Sequence, residues 1–522
     1  MTPGRRLPLN AVSHRPPTLR TSDVAALRAD LESWTVDAVQ DVVGERAMRA
    51  YGREQVLPGR VAARDAGNDR HALLSRLFLF GDTLTRAQAQ AALPAFGVDA
   101  AVEAGLLTAQ GAADDDQVRA LVEVRPTAAA TDAGEVNWWV AHDQGEAVTG
   151  RAVNEDHVLG VGGASSTLAS ITMRAPVARA LDLGTGCGIQ SLHASMHADQ
   201  VVATDISTRA LAFARFNDAL NRPGQREWDV REGSLLEPVA GEQFDLVVSN
   251  PPFVISPPGT PQFEYRDGGL EWDGVVAALA TGVGRHLNPG GVAQFLGNWL
   301  IRDDWTERWE QWLEASEVEL DAWVIQRDVL DPAEYAETWL RDAGVTRERG
   351  ESRFYAAYEA YLAGFDAAGV SGIGFGAVML RRPMQGKPTL RRLEEHEGAL
   401  QSPLGPHLRD VLVAHDWLAS ATDDEVLSAA YVVAGDVTKE TYGRPLQHEP
   451  EHILIRQGGG LGRSIKADTA LAGLVGACDG ELTAGQIAHA LAALLDVPVG
   501  EMVAGLVPAV RDLVRDGFLT RA

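Results

Sequence analysis

The chain is predicted to be an α/β protein, with a core built on a parallel sheet that has helices on both faces and mainly helical modules on either side. Three observations predict this. Beyond about residue 136, short apolar runs alternate with helical stretches. A glycine loop, Leu-Asp-Leu-Gly-Thr-Gly-Cys-Gly (181–188), closes the first of these runs. Another run, Phe244–Val248, ends in Ser-Asn-Pro-Pro-Phe (249–253), where two prolines remove ladder donors that a strand interior needs.

Composition bounds the function. The 522 residues suggest three or four domains, and 45% apolar with 23% charged residues are ordinary globular values. A formal net charge of −26 argues against a sequence-independent grip on phosphate backbones. Only Cys187 and Cys478 are present, so no disulfide framework is available and a reducing, cytoplasmic setting is expected. No membrane contact is expected. The most apolar stretch, 363–380, carries Asp366 and five glycines and reads as a turn feeding a buried strand. Residues 1–20 hold Arg5, Arg6, Arg15, Arg20 and four prolines, which reads as a disordered lead-in and not a secretory signal.

The elements follow in order. Residues 21–125 form an N-terminal helical module closing in a strand-like run at 119–126. Residues 126–149 read as a linker and hairpin: small residues over 127–135 mark the boundary, and Trp138-Trp139 fit a buried hairpin better than a stacking platform. The α/β core spans 150–383. Its strands are predicted at 177–183, 200–206, 244–248, 291–299, 319–326 and about 373–383, with helices near 272–287, 332–341 and 352–365. Residues 384–522 form a C-terminal module, helical with strands near 430–442 and 452–457. Its segment 480–491 echoes 82–93: both carry Leu-Thr, then Gln three residues on, and lead into Gly-Phe-Leu-Thr (517–520) and Gly-Leu-Leu-Thr (105–108). This is a winged-helix rhythm. The third helix of each copy is acidic (Asp99 and Glu103; Glu501, Asp512 and Asp516 against Arg511 and Arg515), so duplex DNA reading is not expected.

In the core, glycines at 184, 186 and 188 let the backbone turn sharply beside a ligand. Asp182 closes the first strand and Asp205 the second, where a carboxylate is placed to accept both hydroxyls of a ribose. Metal ligation is not expected. His193 and His197 lie four apart on one helix but lack a third ligand, so a solvated or capping role is preferred. His448-Glu449-Pro450-Glu451-His452 is broken by its proline. Cys187 reads as a small packing residue.

Asp182-x-Gly184-Thr185-Gly186-x-Gly188, Asp205 and Asn250-Pro251-Pro252-Phe253 together resemble the class I S-adenosylmethionine-dependent methyltransferases, over about residues 150–382. More narrowly, they resemble the amino-methyltransferases with an Asn-Pro-Pro-aromatic motif, which act on exocyclic amines of adenine or guanine or on a glutamine amide. The resemblance implies a Rossmann-like core and S-adenosyl-L-methionine as cofactor. The loop Asp182–Gly188, including Thr185, would underlie the methionine moiety, and Asp205 would hold the ribose. Ser234 and Leu235 would lie along the adenine, Ser234 standing where many relatives carry Asp. Residues 162–168 are similar to the segment that folds over the cofactor, and equally to a Ser-capped helix start.

The Asn-Pro-Pro-Phe motif has a chemical reason. An aromatic amine or amide nitrogen is a poor nucleophile because its lone pair is delocalised. The Asn250 side-chain oxygen and the Pro251 carbonyl would take both its N–H groups and free the lone pair. Prolines 251 and 252 stiffen the loop, and Phe253 stacks on the planar group. The reading taken forward is N-methylation of a nucleobase amine in ribosomal or other structured RNA. Phe253 favours it, since glutamine-directed relatives usually carry Tyr, and Arg381, Arg382, Lys387, Arg391 and Arg392 offer a phosphate-facing strip or a solvated linker. The alternatives are methylation of a glutamine amide in a protein, which the acidic balance favours, and a cofactor-binding module without turnover.

Overall fold

The computed structural model describes residues 15–131, 134–151, 153–154, 156–258, 260, 268–398, 400–445 and 450–522. Most of the lead-in, and His448 and Glu449, lie outside the described residues.

Eight strands form the central sheet: β1 (Val177–Leu183), β2 (Ala198–Asp205), β3 (Asp229–Glu232), β4 (Phe244–Ser249), β5 (Leu287–Ile301), β6 (Asp321–Leu330), β7 (Gly372–Arg381) and β8 (Arg391–Glu395). Their order is β3-β2-β1-β4-β5-β7-β6-β8. All neighbours run parallel except β7, which is antiparallel to both β5 and β6. The helices of this domain are α1 (Gly163–Ile171), α2 (Ile189–Ala194), α3 (Thr208–Asn221), α4 (Gly274–Gly282), α5 (Trp305–Ala315), α6 (Pro332–Asp342) and α7 (Arg347–Ala367). The inner strands are continuous apolar runs because helices cover both faces. On one face α5 presents Trp305, Trp309 and Trp312 at helical spacing, and Trp309 meets Trp299 of β5 edge-on at 5.3 Å. β8 escapes prediction because Arg-Arg-Leu-Glu-Glu has no apolar alternation. It is held by polar contacts instead, with Glu394 accepting from the Trp323 indole and from Arg463.

The other face continues into the N-terminal module in one core. Small residues over 127–135 do not form a linker. Residues 127–131 and 134–135 belong instead to the distal part of a two-stranded ribbon, Val122–Thr131 with Gly134–Asp143, paired from Val122↔Asp143 to Thr131↔Gly134. Ala and Thr tolerate the extended backbone, and the ribbon is fixed by contacts that local sequence does not report. Asn217 and Asn221, one turn apart on α3, read the ribbon as a neighbouring strand would. Asn217 accepts from the Ala141 N–H (2.8 Å) and donates to its carbonyl (2.9 Å), and Asn221 does the same at Trp139 (2.9 and 3.0 Å). Asn217 also donates to the Cys187 carbonyl at 2.7 Å, tying the ribbon to the glycine loop. Trp138 and Trp139 are buried.

Trp138 packs edge-on against His193 at 4.9 Å. The histidine is therefore packed and largely withdrawn from solvent, and burial pushes its pKa down to about 4, with Arg174 adding to the effect. The unfolded chain binds this proton nearer the ordinary value, so the stability the neutral ring supplies is complete above about pH 6.5 and lost as pH falls toward 4. His193→Phe keeps the ring contact and removes the titration. The variant is expected to lose about 2 kcal/mol less than the parent between about pH 7 and pH 5. Urea midpoints at the two pH values measure this.

Residues 70–120 run helix, strand, helix, helix, strand, strand, and their three strands form one small sheet. The echo with the C-terminal module is a shared device: Thr85 with Gln88, and Thr483 with Gln486, each form a capping box at the start of a helix. C-terminal strands are more numerous than predicted, at Ala430–Val433, Val437–Tyr442, His452–Gln457, Ser464–Ala467, Asp479–Thr483 and Leu519–Arg521. Among the described residues no helix is long and apolar enough to cross a membrane.

The arginines of the basic cluster do not form a free strip. Arg381 is bonded to Asp321 and Asp416, Arg392 to Asp516 across the interface with the C-terminal module, and Arg391 faces Glu310. Arg381 pairs with Val292 near the start of β5. Arg382 donates to the Leu287 carbonyl, and Lys387 lies on an exposed loop over 384–387, so that part of the cluster is solvated while the arginines form a largely ion-paired seam at the opposite end of the parallel strands from the motifs.

Candidate active site

Register brings the motifs together. Leu183 of β1 pairs with Thr204 of β2 and Ser249 of β4, and Asp205 pairs with Glu232 of β3. The carboxyl ends of four strands therefore lie in one row, carrying Asp182, Asp205, the turn at Ser234 and Asn250. In an open α/β sheet the crevice for a ligand lies along this edge.

Asp182 is 1% exposed. Its Oδ2 accepts from the Thr185 hydroxyl (2.6 Å) and the Ser191 hydroxyl (2.7 Å), so Thr185 braces this carboxylate and turns no oxygen outward. Oδ1 has no hydrogen-bond partner among the described residues. Burial pushes the carboxyl up to about 6 although the two hydroxyls favour its charged form. A cation alongside would restore full ionisation.

Asp205 ties down the glycine loop. Its Oδ2 accepts the Gly186 N–H and its Oδ1 the Ser207 N–H, both at 2.9 Å, and burial again raises its pKa. All three loop glycines have positive φ, but they serve two purposes. A Cβ at Gly184 or Gly186 would meet nothing within 4 Å, whereas one at Gly188 would lie 2.8 Å from the Trp228 ring. At Gly188 the bare Cα is required by packing against Trp228. Beyond β3, Gly233 bonds the Asp205 carbonyl, and Leu235 adopts φ +45, uncommon for a residue with a side chain, so this turn is held against local preference. α1 begins at Gly163 with Gly162 as its cap and no side-chain cap, so residues 162–168 are not a Ser-capped start. Gln190 donates to the Ser165 carbonyl at 2.7 Å and holds this helix to the loop.

At the end of β4, the Ser249 hydroxyl donates to the Leu183 carbonyl at 2.8 Å and zips β4 to β1. Asn250 follows, half-buried, and its Oδ1 is buried without a partner among the described residues. Pro251 is buried and Phe253 meets Trp339 edge-on at 6.4 Å. Ser191, Gln190 and Ser249 carry structural work at this site that the motifs do not announce. Their only signal is polar type at a buried position beside the glycine loop or a strand end.

The residues fit S-adenosyl-L-methionine. Two glycines open their Cα faces to free space, Asp182 presents a buried acceptor atom with no partner among the described residues and so suited to a cation, and Asp205 closes the neighbouring strand at the carboxyl edge, where a ribose would lie.

Residues 160–262 match the methyltransferase small domain family. Residues 32–121 and 410–521 each match a domain family of unknown function. The release factor glutamine methyltransferase of Xylella fastidiosa is 36% identical over 144 residues, 26% of this chain and 48% of that protein. The ribosomal protein uL3 glutamine methyltransferase of Bradyrhizobium diazoefficiens is 30% identical over 168 residues, 29% of this chain and 52% of that protein. The chain thus spans about half the length of these curated relatives. A solved ribosomal protein L11 methylase from Lactobacillus delbrueckii subsp. bulgaricus is 19% identical, covering 43% of this chain and 81% of that one with a TM-score of 0.25. The central domain is of the class I, Asn-Pro-Pro-aromatic methyltransferase type that its motifs predict.

Proposed function

We propose that this chain transfers a methyl group from S-adenosyl-L-methionine to the side-chain amide nitrogen of a glutamine in a protein. The observation that carries it is the Asn250 oxygen, buried without a partner among the described residues just past the carboxyl end of β4, whose Val248 and Ser249 pair with Asp182 and Leu183 of β1. An acceptor with two N–H groups and a flat π system suits that oxygen, the Pro251 carbonyl and the Phe253 ring.

The cofactor supplies an electrophilic methyl on a sulfonium, whose departure needs little assistance. The chain's own residues do the rest. Asp182 and the backbone of Gly184 and Gly186 hold the methionine end, and Asp205 the ribose. Ser234 and Leu235 border the base. Asn250 Oδ1 and the Pro251 carbonyl each accept one N–H of the acceptor, which orients the nitrogen and turns its lone pair out of conjugation; as the nitrogen–methyl bond forms and the sulfur–methyl bond breaks to leave a neutral thioether, one of these two protons is released to solvent. Pro251 and Pro252 keep that carbonyl aimed with little entropy to lose.

A nucleobase amine makes the same demands, so the acceptor is decided by the surroundings. Likeness to relatives named as glutamine methyltransferases supports the amide, and so does the net charge of −26. Arg381 and Arg392 of the basic strip that favoured RNA are ion-paired, at the opposite end of the parallel strands from Asn250. Phe253 in place of Tyr weighs little, because the stacking face is the same without the hydroxyl. The terminal modules are read as winged-helix-like packing and protein-contact modules. Of the two bases offered by the third C-terminal helix, Arg511 is spent on Asp423 and the Ala421 carbonyl, and Arg515 on Asp512.

Tritiated S-adenosyl-L-methionine, incubated with the protein and separately with a bacterial release factor, ribosomal protein uL3 and total RNA, tests the proposal. Label is expected in protein, on a glutamine-containing peptide carrying one methyl. Label confined to RNA would overturn it.

A further inference from the structure

The Asn250–Phe253 segment is not held by the sheet alone. Between Leu330 and Gly372 the chain inserts the helical hairpin α6–α7, and this hairpin grips the loop from outside. The grip starts two residues beyond Phe253. Ile255 is fully buried, outside any strand, and its N–H donates to the Tyr335 hydroxyl at 2.7 Å. That hydroxyl also accepts from Asn298 Nδ2 of β5 at 3.3 Å, and the Tyr335 ring is wedged among Trp339, Phe365 and Phe375 at 6.0, 5.9 and 5.8 Å. One residue on, the Ser256 and Tyr361 hydroxyls lie 2.9 Å apart. The α7 backbone rests directly on the loop, since a Cβ at Gly364 would fall 2.5 Å from Pro257 Cβ. Trp339, partly exposed, stands against the Phe253 ring edge.

We propose that the α6–α7 hairpin is the acceptor-positioning element of this enzyme. Tyr335 is a positioning residue that fixes the Asn250–Phe253 loop through Ile255, and Trp339 is the wall that keeps the Phe253 ring face presented to a flat acceptor. The inference rests on the reading that Asn250 and Phe253 meet the acceptor. It assigns acceptor geometry to a segment outside the matched methyltransferase small domain, whose match ends at residue 262. A loop carrying two hydrogen-bond acceptors must be placed to within a fraction of an ångström, and a hydroxyl bonded to both the loop and β5 references it to the sheet.

The test uses the full chain with Tyr335→Phe, Trp339→Ala and Trp339→Phe, and a bacterial release factor as acceptor. Tyr335→Phe is expected to lower kcat roughly tenfold, leave acceptor KM and cofactor Kd within about twofold, and speed amide exchange at Ile255 with the rest of the exchange pattern unchanged. Trp339→Ala is expected to raise acceptor KM roughly tenfold, and Trp339→Phe to restore it. Unaltered exchange at Ile255 together with unaltered kcat in Tyr335→Phe would overturn the positioning role. Equal KM for the two Trp339 variants would overturn the wall. If the unmodified protein labels RNA and no protein, the glutamine reading fails, and the same variants assayed on that RNA, with the exchange measurement, still decide this inference.

Discussion

Asn250→Ala is expected to lower methyl transfer roughly 10²–10³-fold while leaving the fold and cofactor affinity near those of the parent. The oxygen removed makes no hydrogen bond among the described residues, so its loss leaves no internal donor stranded. Its free energy is spent on the acceptor, and most fully as the nitrogen changes shape in the transition state. Asn250→Asp discriminates further. It keeps an acceptor oxygen but adds a negative charge beside the sulfonium, so partial activity and somewhat tighter cofactor binding are expected. Single-turnover rates with saturating cofactor, together with calorimetric cofactor affinities, check both variants. A large loss of cofactor affinity in Asn250→Ala would place the residue on the cofactor side and contradict the role argued for it.

Where sequence and structure agree, the signal is local. Asp182, Asp205 and Asn250 each stand at or just past the end of a strand, where residue type and spacing from a glycine loop carry information. The parallel register then brings them to one edge without further specification. The paired capping boxes at Thr85 and Thr483 are legible for the same reason, since each is complete within four residues.

Where they differ, the deciding partner lies far along the chain. Asn217 and Asn221 fix the 122–143 ribbon from 76 and 82 residues away, so its Ala- and Thr-rich distal part reads as a linker to any local pattern. Tyr335 lies 80 residues from Ile255 and sits in an ordinary amphipathic helix. At either end of the basic run, Arg381 and Arg392 are ion-paired in space, because Asp321, Asp416 and Asp516 close on them from three other segments. Within one loop, Gly188 shares the positive φ of Gly184 and Gly186, but its bare Cα faces Trp228, 40 residues on, which no local pattern reports.

Asp205→Ala is expected to weaken S-adenosyl-L-methionine binding by at least about 100-fold, more than any other single change at the cofactor edge. Each charge-assisted hydrogen bond to a ribose hydroxyl contributes on the order of 1.5–3 kcal/mol, and one such bond already corresponds to about 10–100-fold in affinity. A second loss adds to it. The carboxylate accepts the Gly186 and Ser207 N–H groups, so Ala also releases the glycine loop from its brace. Asp205→Asn separates the two effects. Its amide oxygen still serves one backbone donor, but the charge is gone, so a loss of about tenfold with the apo stability nearly retained is expected. The pH dependence follows the same logic. Burial raises the Asp205 pKa, so protonation begins above the ordinary carboxylate range and turns an acceptor into a donor. Cofactor affinity should therefore fall as pH drops through that raised value in the parent and stay flatter in Asp205→Asn. Calorimetric titrations across that range measure it, and equal affinity in the parent and Asp205→Ala would remove Asp205 from the binding site altogether.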